Sequence, residues 1–207
     1  SLDGGATWLV PDVRLDTNLA GAAASSVPRL AVAGTNVYVV WQDLRNGAPD
    51  VYLNRSADGG VTWLPADVRL DGGPAGVAGS FEPRVAASGT HVYVAWFDQR
   101  NGLPDVYANA SADSGVTWLA ADLRLDTDVA GTAMSIQPAV ACAGADAVVV
   151  WEDRRSGQGD VRCSRTTNGG VAWSVADVRL DTDPAGAASS TTPVVTCSGT
   201  AVRVAWV

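Results

Sequence analysis

Aspartate, arginine and asparagine recur together in one short loop pattern. The pattern first reads Asp43-Leu44-Arg45-Asn46-Gly47 and leads to Asp50. Carboxylate, guanidinium and amide groups can hold sugar hydroxyls, so such loops could form several similar weak ligand sites. The structural alternative, which we favour for most of them, is that Asp and Asn fix the turn while Arg pairs with a nearby carboxylate. The candidate ligand-binding residues are Asp43, Arg45, Asn46, Asp50, Asp98, Arg100, Asn101, Asp105, Asp153, Arg155 and Asp160.

A second pattern sets the period of the chain. An octet of the form Ser-x-Asp-x-Gly-x-Thr-Trp begins at residues 1, 56 and 111, and a degraded copy begins at residue 166, a period of 55. Asp and Ser accept hydrogen bonds from backbone N–H groups, Gly supplies a positive φ, and Trp anchors the turn. We predict structural roles for Ser1, Asp3, Gly5, Trp8, Ser56, Asp58, Gly60, Trp63, Ser111, Asp113, Gly115, Trp118, Asn168, Gly170 and Trp173.

Each repeat carries four extended segments, and no helical pattern competes with them. The repeats span 1–55, 56–110, 111–165 and an incomplete 166–207, which we treat as one domain, 1–207. In the first complete set the segments are 29–33, 37–41, 50–54 and 67–71. Four-stranded antiparallel units repeated around an axis make an all-β propeller, with a β-sandwich as the alternative.

The octet resembles the Asp-box, or BNR repeat, of sialidases, sortilin-type receptors and many secreted bacterial proteins. This resemblance implies a sialidase-like β-propeller in which the box joins the third and fourth strands of a blade, away from the ligand face. It also implies a secreted or cell-surface location. The fourth copy departs from the pattern at Thr166, Asn168 and Ala172.

The two ends of the sequence predict an unusual closure. The chain begins at an octet and ends after a second segment, so a closing blade built from N- and C-terminal strands lacks its third strand. We expect four blades closed in this way; the alternatives are a larger ring from two chains and a fragment of a longer propeller. An unpaired edge would also allow self-association.

Strand direction places the Asp-Arg-Asn loops and the long linkers at the end of each blade opposite the octets. Two arginines there break the repeat, since Arg29 and Arg84 correspond to Ala139 and Val194. We expect Arg29 and Arg84 near the mouth of the central channel, where they could grip an anion. A salt bridge with Glu82 is the structural alternative.

Catalysis is the other hypothesis that the sialidase resemblance raises. Such enzymes use an arginine cluster, a Tyr–Glu pair and an acidic proton donor. In this chain the only glutamates are Glu82 and Glu152, so we expect no catalytic residues and a binding protein rather than an enzyme. A sialidase-like hydrolase remains an alternative.

The composition narrows the range of partners. A formal charge of −8 and a pI near 4.4 argue against nucleic acid and anionic membranes. Three cysteines cannot all pair with each other, and we read them as small apolar residues. Asp126-Thr127-Asp128 has oxygen ligands suited to Ca²⁺, but no bidentate Glu follows, so we predict no metal and no cofactor.

These observations favour a non-catalytic, lectin-like propeller that binds a glycan or another small polar ligand. A structural or protein-binding propeller within a larger secreted protein is the second interpretation.

Overall fold

The computed structural model describes residue 1 and residues 3–207, and all regular structure in that part of the chain is β-strand. It contains no helix with the length and apolar character needed to span a bilayer. Blade 1 holds β1 (Ser25–Ala33), β2 (Asn36–Asp43), β3 (Asp50–Ser56) and β4 (Val68–Arg69). Blade 2 holds β5 (Ser80–Ser88), β6 (His91–Asp98), β7 (Asp105–Ser111) and β8 (Leu123–Arg124). Blade 3 holds β9 (Ser135–Ala143), β10 (Asp146–Asp153), β11 (Asp160–Thr166) and β12 (Val178–Arg179). The remaining strands are β13 (Val194–Ser198) and β14 (Ala201–Ala205).

Strands within each complete blade pair antiparallel in chain order, which confirms the predicted propeller architecture. The first three strands are longer than the sequence segments, whereas the fourth is shorter. β4 ends at Arg69 because the side chain of Asp71 replaces the backbone in the hydrogen bonding to β3. The Asp71 carboxylate accepts the N–H of Val51 at 2.9 Å. A side chain therefore replaces the next backbone acceptor.

The core lies between blades. We call the surface of blade 1 formed by Tyr38, Val40, Val51, Leu53 and Leu70 its leading face; it packs against the trailing face of blade 2, formed by Val92, Val94, Trp96 and Tyr107. The leading face of blade 2 meets Val149 and Trp151 of blade 3 in the same way. Each buried aliphatic or aromatic side chain contributes about 1.5–3 kcal/mol, so the stability of a blade depends on its neighbours.

The expected closing blade is not formed. Within the described residues no strand precedes Ser25, and β13 and β14 pair only with each other. The N-terminal segment instead lies on blade 1, where Asn54 Nδ2 donates to the carbonyl of Leu15 at 3.0 Å. Asn109 donates to the carbonyl of Leu70 at 3.3 Å, a contact between blades of the same kind. The terminal halves thus occupy opposite ends of the array.

The two ends of each blade carry different turns. At one end, which we call the box end, the N–H of Gly59 in the octet donates to Thr35 O of the β1–β2 turn at 2.8 Å. At the other, the loop end, the N–H of Ala48 donates to Gly76 O of the linker at 3.0 Å. This arrangement separates the octets from the Asp-Arg-Asn loops, as strand direction predicts.

Candidate functional site

Hydrogen bonds inside the octet explain its residue types. In the second copy Ser56 Oγ donates to Asp58 at 2.7 Å and accepts the N–H of Gly60 at 2.8 Å. Asp58 also accepts the N–H and hydroxyl of Thr62, at 2.8 and 2.6 Å. These bonds to Thr62 and Ser56 lower the pKa of Asp58 to about 2 because they favour the carboxylate.

The degraded fourth octet keeps the same turn with different atoms. Thr166 Oγ1 donates to Asn168 Oδ1 at 2.8 Å, and the N–H of Gly170 donates to Thr166 at 3.1 Å. Asn168 also accepts the N–H of Ala172 at 3.0 Å. Only the hydroxyl bond is lost, because alanine stands where the other octets have threonine.

The octets also connect neighbouring blades. The box of blade 2 lies against blade 1, where Trp118 packs on the core cluster that contains Tyr38. In the next copy Trp173 meets Tyr93 of blade 2 edge to face, with 6.4 Å between the ring centroids. Trp8, in contrast, is 73% exposed at the end of the array.

In the Asp-Arg-Asn loops the arginine links the loop to the fourth strand. Arg45 Nη2 donates to Asp43 and to Asp67, both at 2.7 Å, and Nε donates to Asp43 at 3.0 Å. Its guanidinium carbon lies 4.0 Å from the ring centroid of Tyr52, a cation–π contact. The same bonds recur from Arg100 to Asp98 and Asp122 and from Arg155 to Asp153 and Asp177.

The amides of these loops are also engaged within the blade. Asn46 Nδ2 donates to Asp50 at 2.7 Å and to the Tyr52 hydroxyl at 2.9 Å. Asn101 makes the same bonds to Asp105 and Tyr107, while Asp160 accepts the N–H of Gly186 at 3.0 Å. The loop residues thus form one network per blade and do not converge on one cavity. This geometry favours their structural role, and ligand binding by them stays a prediction.

A second buried network surrounds the arginine of each fourth strand. In blade 2 Arg124 lies among three carboxylates, with Nη2 at 3.3 Å from Asp105, 3.0 Å from Asp126 and 2.5 Å from Asp128. Carboxylate oxygens of these three residues lie within 4.8 Å of one another. The guanidinium of Arg124 lies among them and balances part of their negative charge. Burial raises the pKa of Asp126 to about 7; Arg124 opposes this, and Asp105 and Asp128 add to it.

Sequence reasoning missed the partners in these networks. Asp67, Asp122 and Asp177 receive the loop arginines, although they lie 22 residues further along the chain. The available signal was the run Asp-Val-Arg-Leu-Asp at 67–71. Its charged residues recur at the same positions in later repeats, which indicates a structural role for them.

The starts of the four inner strands, β1, β5, β9 and β13, show a backbone feature that spacing did not reveal. We call this region the channel mouth, although the array does not close into a ring. Four non-glycine residues have φ between 50° and 54°, one at the start of each inner strand: Val27, Glu82, Gln137 and Thr192. Each precedes a proline, and a register shift marks the same place in the ladder of each complete blade. Side chains of one blade also support the bulge of the next, since Gln42 Oε1 accepts the N–H of Glu82 at 3.2 Å.

Arg29 and Arg84 lie at this mouth, on the inner strands of adjacent blades. Arg84 Nε donates to Pro138 O at 3.1 Å, and Nη2 is 3.8 Å from the Glu82 carboxylate. Burial lowers the pKa of Arg84, and the positive charge of Arg29 lowers it further against the opposing effect of Glu82. A cavity of about 270 Å³ opens beside it, lined by Glu82, Arg84, Gln137, Thr192, Pro193 and Val194.

Comparison with known proteins identifies the architecture. No family model matches the chain, and no curated protein sequence does. Among solved structures, a Trypanosoma rangeli sialidase mutant displaying trans-sialidase activity aligns with TM-score 0.58 and 13% identity over 88% of this chain. The fold is that of a sialidase-like β-propeller.

A second group of similar structures supports this assignment. The α-L-arabinofuranosidase Arb93A from Fusarium graminearum, solved with an iminosugar inhibitor, aligns with TM-score 0.55 and 14% identity over 82% of this chain. This chain spans 34% of the sialidase chain and 53% of the arabinofuranosidase chain. At these identities the likeness concerns the fold.

Proposed function

We propose that this propeller is a non-catalytic carbohydrate-binding domain whose ligand carries a carboxylate. The observation that supports the proposal is the pair Arg29 and Arg84 at the channel mouth. The loop arginines each bind two carboxylates, whereas among the residues that the structure describes Arg84 contacts only the Glu82 carboxylate, at 3.8 Å, and one backbone carbonyl. The similar structures include arabinofuranosidases solved with an iminosugar inhibitor and with arabinobiose, which makes a glycan the leading class of ligand.

The chemistry of the mouth suits an acidic sugar. Guanidinium groups bind carboxylates through charge-assisted hydrogen bonds, which are stronger than neutral ones. Besides burial, the positive charge of Arg29 lowers the pKa of Arg84, and a bound anion would offset this repulsion. Glu82 and Gln137 line the adjoining cavity and offer an acceptor and an amide to the sugar hydroxyls.

The same residues argue for binding without bond cleavage. Glycoside hydrolysis requires two carboxyl groups, or a comparable pair, on either side of the scissile bond. At the mouth Glu82 supplies one carboxylate. The other glutamate, Glu152, is buried and accepts a hydrogen bond from Arg154 at 2.7 Å. Secretion or display at the cell surface is part of the same proposal, since extracellular glycans would then be accessible.

Binding is tested on a glycan array carrying sialylated, uronic-acid and neutral sugars, followed by calorimetry with the best ligand. We expect acidic glycans to bind and neutral ones to fail. Arg84→Ala should weaken binding by about tenfold or more, because one charge-assisted interaction is lost. Alanine already occupies the corresponding position 139, so the fold tolerates this change.

Arg165→Ala is the matched control, because it removes the same charge from an exposed residue near the box end. It should leave affinity unchanged. An array without any bound glycan, or equal losses in both variants, would refute the proposal. Hydrolysis of a fluorogenic sialoside or arabinofuranoside, abolished by Arg84→Ala, would instead show a glycosidase.

A further inference from the structure

The junction between blades 1 and 2 at the box end contains unused hydrogen-bond donors. The octet of blade 2 lies on blade 1 there, and a side chain at Gly115 would meet Arg55 at 3.1 Å, Tyr38 at 3.2 Å and Trp118 at 3.7 Å. Each of these three residues has a buried polar atom without a hydrogen-bond partner in the described part of the chain: Arg55 Nε, Tyr38 Oη and Trp118 Nε1. All three atoms carry a proton that they can donate, so the junction is rich in donors and poor in acceptors.

The same positions in other blades are satisfied or apolar. At the junction between blades 2 and 3 the Tyr93 hydroxyl donates to Gly144 O at 3.1 Å, and Ala110 stands in place of Arg55. In the octet of blade 1, Trp63 Nε1 donates to Gly60 O at 3.0 Å. The unused donors therefore belong to one junction and not to the repeat.

Ser114 also sets the octet of blade 2 apart. Its φ is 62°, in the left-handed region that favours glycine, and the other three octets have glycine at this position. A serine there costs stability, yet it places a hydroxyl beside Tyr38. Burial raises the pKa of Tyr38, and the Ser114 side chain and the positive charge of Arg55 oppose the rise. The strained serine thus adds a hydroxyl to a cluster that already holds a phenol and a guanidinium.

Arg55 brings a positive charge that no carboxylate of the described residues balances. The loop arginines each bind two aspartates, whereas Arg55 forms no salt bridge within that part of the chain. The carboxylate of Asp113, next to Ser114, is engaged in its own octet, where it accepts the hydroxyls of Ser111 and Thr117 at 2.8 and 2.6 Å. A guanidinium without a counter-ion beside hydroxyl groups is the chemistry that binds oxyanions.

We propose that this junction binds a tetrahedral oxyanion, a sulfate or phosphate group. The guanidinium of Arg55 donates to two of its oxygens, and the Ser114 hydroxyl donates to a third while accepting a hydrogen bond from the Tyr38 hydroxyl. A free anion and a sugar ester of sulfate or phosphate share this chemistry. The site lies at the box end, away from the channel mouth, so it does not rest on the proposed function.

The site is tested by NMR titration of the full 207-residue chain with sodium sulfate, at an ionic strength held constant with sodium chloride. We expect saturable shifts of the Ser114 and Gly115 amides and of the Trp118 indole N–H. The Trp63 indole N–H, in the octet of blade 1, is the internal control and should not move. Absence of shifts at residues 114–118 would overturn the proposal.

Two arginine variants test the charge. Arg55→Ala should weaken sulfate binding about tenfold or more, because it removes a charge-assisted interaction, and the alanine at position 110 shows that the fold tolerates the change. Arg165→Ala removes the same charge at the corresponding position of blade 3 and should leave the affinity unaltered. Equal affinities of wild type and Arg55→Ala would contradict the assignment.

Ser114→Gly separates ligand binding from a structural role. Glycine relieves the left-handed backbone, so the melting temperature should rise by about 2–4 °C while sulfate binding weakens. A variant that is more stable and binds sulfate as well as wild type would exclude Ser114 from the site and overturn the proposal.

Parallel titrations with glucose 6-sulfate and glucose 6-phosphate distinguish the source of the anion. Tighter binding of an ester than of the inorganic ion would identify a sugar-borne group as the ligand, whereas equal affinities would identify the free anion; both results support the site. The shifts at residues 114–118 should persist in Arg84→Ala, which weakens the channel-mouth site. The two proposals therefore fail independently.

Discussion

Charged residues in this propeller divide into two kinds with opposite protonation behaviour. Asp43 accepts hydrogen bonds from Arg45 and Trp41, and its pKa falls to about 2 although burial opposes the shift. Asp71 and Asp126 share a single arginine with other carboxylates, and burial raises their pKa to about 6 and about 7. Carboxylates of the first kind stabilise the folded chain when they are ionised. Carboxylates of the second kind resist ionisation in the folded chain.

The raised pKa values predict that stability falls between pH 5 and pH 8. Asp71 and Asp126 bind more protons in the folded chain than in the unfolded one over this range, so their contribution decreases as pH rises. We expect the free energy of unfolding, measured in urea, to drop by about 4 kcal/mol, because each pKa unit is worth about 1.4 kcal/mol and the two groups together contribute about three units over this range. Asp126→Asn keeps an oxygen for the N–H of Val106 and should reduce the slope. A curve that rises over this range would contradict the assignment.

The spacing of the loop residues is compatible with ligand binding and with a structural role in the turn, and it does not distinguish between the two. Asp43, Arg45 and Asn46 are adjacent, which suits a ligand site as well as a turn. Their structural role depends on Asp67 and Tyr52, which a strand and an octet bring back beside the loop. The repeated charges at 67–71 indicate that these residues have a role, but only the fold shows which loop residues they contact.

At the scale of elements, the octet owes its stabilising effect to its position in the array as much as to its internal bonds. Copies at residues 1 and 111 make the same bonds between Ser, Asp and Thr. Of these two copies, only the one at residue 111 packs its tryptophan, Trp118, against a neighbouring blade. The turn itself was predictable from its glycines and aspartate, whereas the contribution of each copy required the blade order.

Matched tryptophan substitutions separate these two contributions. Trp118→Ala should lower the free energy of unfolding by about 3 kcal/mol, because it opens a cavity in the contact between blades 1 and 2. Trp8→Ala should change it by less than about 0.5 kcal/mol, since the ring is exposed. Urea unfolding at one pH measures both. Equal losses would mean that the octet acts only within its own turn.

At the scale of the whole molecule, the array is most stable in its middle. Blade 2 is covered on both faces, and every residue of β7 is buried. β13 alternates between exposed and partly buried positions, and all residues of β14 except Val204 are exposed. The period of 55 predicted these blades, but it could not reveal whether the terminal halves meet, because closure depends on the rotation between blades rather than on any one repeat.

Amide hydrogen exchange should follow this order. We expect β6 and β7 to exchange slowest, the matching strands of blades 1 and 3 to be intermediate, and β13 and β14 to exchange fastest. Mass spectrometry of peptic fragments resolves these elements. Uniform protection across the strands would indicate a single cooperative unit and a closed ring in solution.

The left-handed residues before proline at the channel mouth carry a consequence for evolution and engineering. One backbone geometry there holds valine, glutamate, glutamine and threonine in successive blades. At residues 27, 82 and 192 side-chain identity is therefore uncoupled from framework geometry, whereas Gln137 also accepts the N–H of Thr192 at 3.1 Å. New recognition properties can arise by point substitution or by exchange of whole blades as cassettes. A combinatorial library randomised at residues 27, 82 and 192, with Gln137 kept, would sample that variation on an unchanged scaffold.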